Sequence, residues 1–138
     1  QTMRNLPAGV ATATGGAGGQ PTLPTRYTFF SFATNGLVPN ADSATTKWDL
    51  GFRGTTIIVN GGSSGPGQGG ALVQTGLFAD ITQAPETGFT TDTPTAKAIP
   101  TGSGAGWYTY NPAANLISPI AGRVLLVRTA TGRFAKVE

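Results

Sequence analysis

Few side chains in this 138-residue chain are equipped for chemistry, and the missing types set the first limits. His and Cys are both absent. That removes zinc sites built on those ligands, Ser–His–Asp and Cys–His nucleophiles, disulfides and His-ligated iron. The carboxylates are Asp42, Asp49, Asp80, Glu86, Asp92 and Glu138. Asp49 stands between aromatic positions of an alternating stretch and is the one expected to be enclosed, in a structural network with Arg53 or Arg128. It has no identifiable second carboxylate to share acid–base work on a glycosidic bond. The chain is read as not an enzyme.

Two other features invite a binding role. Residues 61–70 (GGSSGPGQGG) form a Gly-rich loop of the kind whose backbone N–H groups cradle phosphate. The phosphate-loop pattern needs Lys and then Ser or Thr after its last Gly, followed by a helix. Here Gly70 runs into Ala71 and a strand-like stretch, so the loop reads as structural or partner-facing. The aromatic run Trp107-Tyr108-Thr109-Tyr110 is more informative. Tyr108 and Tyr110 are two apart and share one face of a strand, and Trp107 takes the other. One face belongs to the core, and the opposite one can stack on a flat ligand, a sugar or a partner. Tyr108 and Tyr110 are a candidate platform of this kind, with core packing as the alternative reading.

The elements that must position these groups are strands. Charged residues are 11% of the chain, about half of ordinary usage, while 21 Gly and 10 Pro disfavour helices. The expected fold is all-β: a single domain of roughly eight to nine short, mostly antiparallel strands with long Gly/Pro/Thr-rich loops. Residues 1–25 read as a flexible Gly/Ala/Thr/Pro-rich leader, and 26–138 as the β domain. Strands are expected over 27–33, 47–53, 55–60, 71–74, 77–81, 106–110, 123–128 and 133–137. In the second of these, Trp48, Leu50 and Phe52 face one way, with Gly54 as a bend before the next strand. Asn111-Pro112 is read as ending the aromatic strand. Residues 129–132 (TATG) form a short hairpin loop with Gly132 at its positive-φ position.

Charge and hydropathy exclude other classes. The net charge of +3 is small and scattered, which speaks against nucleic acid. No apolar run approaches the roughly 18 residues of a membrane span, and the N-terminus lacks the basic and apolar regions of a signal peptide.

Several motifs in order resemble the HmuY family. They are Phe29-Phe30-Ser31-Phe32, the stretch from Trp48 to Thr56, Asn60-Gly61-Gly62, the Gly-rich loop ending in Gly69-Gly70-Ala71, Gly106-Trp107, and the terminal pair Arg123 to Arg128 and Gly132 to Lys136. The resemblance spans residues 26–138. It implies a haem- or tetrapyrrole-binding, haemophore-like protein, secreted or exposed on the outer membrane of Bacteroidetes-type bacteria. The implied partners are a host haem protein as source and a TonB-dependent transporter as recipient. The best-known relatives grip iron with two His, and others use Met. Here His is missing, Met3 lies in the leader, and Asn111-Pro112 stands where one ligand is expected. Among accepted haem ligands only Tyr remains, as Tyr27, Tyr108 or Tyr110, and Tyr108 and Tyr110 lie near the right place. Arg53, Arg123 and Arg128 are candidates for the haem propionates.

Relatives usually continue beyond the Ala-Lys-Val strand, so ending at Glu138 is expected to leave an unpaired sheet edge. The family's lipid-anchor Cys is also missing, and Gln1 suits a chain cleaved by signal peptidase and released. These points support an alternative: a structural or accessory subunit of a cell-surface assembly without haem. Such a subunit would self-assemble by strand addition through the N-terminal arm, residues Leu6 to Thr14.

Overall fold

The structure, a computed structural model, describes Leu6 and residues 26–138. The leader expected over residues 1–25, with its strand-adding stretch, lies outside the described residues apart from Leu6.

The fold is all-β, with nine strands in three antiparallel groups among the described residues. The first sheet has the order β2-β1-β3-β4, from Gly36–Val38 (β2), Thr28–Ser31 (β1), Leu50–Arg53 (β3) and Thr56–Val59 (β4). The second has the order β5-β8-β9, from Gly70–Thr75 (β5), Arg123–Arg128 (β8) and Phe134–Val137 (β9). Tyr108–Asn111 (β6) and Leu116–Pro119 (β7) pair with each other as a separate hairpin.

The larger core lies between the two sheets. Leu50, Ile57 and Val59 of the first sheet join Ala71, Leu125 and Val127 of the second, with Ala98 and Ile99 from the connecting loop. A smaller cluster of Phe29, Trp48 and Ile58 covers the opposite face of the first sheet. That sheet is therefore buried on both sides. The close packing leaves no room for a side chain at Gly51, where a Cβ would sit 2.8 Å from Ile58 and 3.1 Å from Phe29.

Several local expectations are corrected. Trp48 does not share a face with Leu50 and Phe52. It precedes the strand, which starts at Leu50, and packs with Phe29 and Ile58, so alternation does not extend back to it. The stretch after Gly76 is not a strand, because Phe78–Asp80 forms a single 3-10 turn. Gly76, at φ +152°, takes the chain out of the ladder and donates its N–H to the Gly122 carbonyl at 2.9 Å. Two strands were not foreseen. β2 follows a turn at Asn35 (φ +49°), and β7 follows a turn in which the Asn111 carboxamide oxygen accepts the N–H groups of Ala113 and Ala114. Asn111-Pro112 thus turns the aromatic strand into a hairpin.

Buried polar side chains tie the loops to this frame. Asp49 accepts the Phe32 N–H at 2.8 Å and the Ala130 N–H at 3.0 Å, joining the first sheet to the β8–β9 turn. The expected pairing of Asp49 with Arg53 or Arg128 is not formed. The Arg53 guanidinium lies over the Tyr27 ring, and Arg128 donates to the Gln68 carbonyl at 2.7 Å. Asp92 accepts from Val59 N–H at 3.1 Å and Ala98 N–H at 2.8 Å, anchoring the long loop before β6. Asn60 donates to the carbonyls of Thr45 and Trp48 and accepts the Gly67 N–H, which folds the Gly-rich loop down onto it. A Cβ at Gly65 would collide with Asn60 and one at Gly67 with Ala130, so the glycines serve close packing.

Candidate functional site

The β6–β7 hairpin stands out from the sandwich, and its root is fixed at several points. The Trp107 indole N–H donates to the Thr55 carbonyl in the β3–β4 turn at 2.9 Å. The Trp107 carbonyl accepts the Ile120 N–H at 2.9 Å. Arg123 donates to the carbonyls of Gly104, Ala105 and Gly106, the last at 2.6 Å. Gly106 has no space for a side chain, because a Cβ there would run into the Pro100 carbonyl.

Between this root and the sandwich lies a cleft of about 490 Å³. Its lining includes Phe52, Ile57, Trp107, Ile120, Leu125 and Val137, together with Gly54, Gly122, Arg123 and Glu138. Its size and apolar, aromatic walls are those of a small-molecule site, in the usual range of roughly 300–1,000 Å³. Gly54 (φ +56°) and Gly122 (φ +70°) hold the neighbouring turns in left-handed conformations and put no side chain into the space.

Tyr108 is 9% exposed, and its ring lies beside Trp107 at 5.0 Å between centroids. Tyr110 is 44% exposed, and its hydroxyl hydrogen-bonds the Asn115 carboxamide oxygen at 3.0 Å. The two share a strand face, but the hairpin projects between them, so one is packed and the other is in solvent. Neither lines the cleft. Tyr27 lies elsewhere, with the Arg53 guanidinium 4.4 Å above its ring centroid. All three arginines considered for propionates have protein partners: Arg53 on Tyr27, Arg123 on the hairpin root and Arg128 on Gln68.

Phe52, Ile57, Ile120 and Val137 were not singled out from the sequence as site residues. The available signal was the apolar Ile120 standing alone between Pro119 and Gly122, outside any strand period. Among the described residues, no group of three or more His, Cys, Asp or Glu converges on one point.

A family model described as HmuY protein matches residues 24–138. The chain belongs to the HmuY family. No curated protein sequence matches it. HmuY proteins bind haem at the cell surface and are not an enzyme family. No helix among the described residues is long and apolar enough to cross a membrane. In this HmuY protein the cleft walls are largely apolar, and the side chains lining them include no usual iron ligand.

Proposed function

We propose that this protein captures haem or a related tetrapyrrole as cargo, holding the flat macrocycle in the cleft beneath the β6–β7 hairpin. The supporting observation is an apolar cleft of about 490 Å³ with Trp107 as its aromatic wall, in a chain of a haem-binding family. Burial of the macrocycle against Phe52, Ile57, Ile120 and Val137 supplies the affinity, since apolar area removed from water is the main driving force for such ligands. Arg123 in the lining offers a positive charge to the ligand's carboxylates while staying anchored to the hairpin root. Tyr108 and Tyr110, on the hairpin above the cleft and outside its lining, are the protein donors proposed for iron. In this reading the protein is non-enzymatic, works at the outer-membrane surface or outside the cell, takes haem from a host protein and gives it to a TonB-dependent transporter.

A second reading has its own support. Tyr110, Leu116 and Ile117 are exposed on the hairpin, and β9 is an edge strand of its sheet among the described residues. Such a surface suits a structural subunit that docks on another protein.

A hemin titration followed by absorption separates the two readings. The haem reading predicts saturable binding with a shifted Soret band, and loss of the shift in Tyr108→Phe or Tyr110→Phe identifies the iron ligand. A spectrum that stays that of free hemin at all protein concentrations overturns it in favour of the structural subunit.

A further inference from the structure

One side chain lining the cleft comes from the N-terminal segment. Leu6 is half-buried and lines the cleft together with Phe52, Ile57 and Trp107. It is far from these residues in sequence, and nothing in the turn chemistry of the β domain requires its presence there. We propose that Leu6 is an internal plug: the N-terminal segment docks its leucine into the apolar cleft of the same molecule and is displaced when a ligand enters.

Three observations carry this. The site is chemically matched, because a branched apolar side chain meets walls of Phe52, Ile57, Trp107, Ile120 and Val137. The neighbourhood is polar and glycine-rich, so Leu6 is one of few large apolar side chains before Arg26, with Met3, Val10 and Leu23. The tether is long enough. About 20 residues separate Leu6 from Arg26, and an extended chain of that length spans up to about 65 Å, beyond any point of a domain this size.

Tethering makes a weak contact effective. Burying one leucine shifts an equilibrium by roughly ten- to a hundredfold, which is little for two separate molecules. A tether raises the effective concentration to the order of millimolar, which favours the contact within one molecule over the same contact between dilute copies. If the cleft takes a tetrapyrrole as proposed above, that ligand must displace Leu6, and its apparent affinity falls by the fraction of molecules in which the cleft is open. The docking itself does not depend on that reading.

The absence of Cys makes the test clean. A nitroxide is placed on Asn5→Cys, next to an intact Leu6, and the amide spectrum of the ligand-free protein is recorded. Selective loss of intensity at Ile57, Trp107, Ile120 and Val137 is expected, with Ser63 on the Gly-rich loop unaffected. Adding Leu6→Asp to the labelled chain should restore those peaks. In a mixture of spin-labelled unenriched protein and unlabelled isotope-enriched protein, the cleft peaks should keep full intensity. Broadening in that mixture would assign the cleft to a second copy and overturn docking within one molecule. Uniform broadening, or broadening that survives Leu6→Asp, would show that Leu6 does not seat the segment. No ligand enters the experiment, so it stands or falls apart from haem binding.

Discussion

Replacing Asp49 tests the frame that holds the site. This carboxylate is 5% exposed, and each oxygen accepts one backbone N–H, from Phe32 at 2.8 Å and from Ala130 at 3.0 Å. Asp49→Ala leaves both donors without a partner in a dry place. Each orphaned group costs about 1–3 kcal/mol, so the expected loss is about 3–5 kcal/mol. Against a typical domain stability of about 5–15 kcal/mol, that is a large share. Asp49→Asn keeps one acceptor but turns an NH₂ towards the other backbone N–H, and about 2–3 kcal/mol is expected. Arg53→Ala should cost less than about 1 kcal/mol, because the guanidinium rests on Tyr27 rather than on Asp49. Urea unfolding followed by tryptophan fluorescence measures all of these, provided the slope is unchanged between variants. In a double-mutant cycle, Asp49→Asn and Arg53→Ala should add within about 0.5 kcal/mol. An Asp49→Ala cost below about 1 kcal/mol, or a coupling above about 1 kcal/mol with Arg53 or Arg128, would refute the backbone-bonded carboxylate.

Further outcomes follow from the same contacts. Gly65→Ala drives a methyl group into Asn60 and Trp48 and should cost about 2 kcal/mol or more, whereas Gly102→Ala meets open space and pays only for its φ of +102°, about 1 kcal/mol; urea midpoints compare them. Lys136 donates to the carbonyls of Phe78 at 2.6 Å and Ile81 at 2.9 Å, so Lys136→Met should speed amide exchange at least about tenfold across residues 77–82 with little change in global stability. Leu116→Ser with Ile117→Ser changes only exposed hairpin positions. It should alter stability by less than about 0.5 kcal/mol and leave the gel-filtration volume unchanged; a shift to a smaller species would favour the structural-subunit reading.

The parts legible in the sequence are those where the signal is local. β8 and β9 were readable because an apolar run and a short apolar strand flank a turn whose Gly132 takes φ +85°. The Gly54 bend was readable for the same reason. Trp48 was misplaced because alternation was extended back across Asp49, and the start of a strand leaves no mark in residue types. Asp49 was seen as enclosed, but its partners are backbone N–H groups, which every residue but proline carries and no side-chain pattern reveals. The anchoring roles of Asn60 and Asp92 escape the sequence in the same way, because their partners are also backbone groups. The cleft is harder still. Its walls come from β3, β4, the hairpin root, β8 and β9, so residues from Phe52 to Val137 meet without forming any contiguous motif. The shared face of Tyr108 and Tyr110 followed from strand alternation, while their unequal exposure depends on how far the hairpin projects.

Ile120→Asp tests the central claim most directly. The substitution puts a charge on the apolar wall of the cleft but leaves the sandwich core untouched. Hemin and metal-free protoporphyrin are titrated into the parent protein and the variant, with quenching of tryptophan fluorescence as the readout and circular dichroism as the control for folding. Saturable binding to the parent, weakened at least about tenfold in the variant with its fold intact, is the predicted result. Equal binding to both proteins, or none to the parent, would contradict the cleft as the haem site.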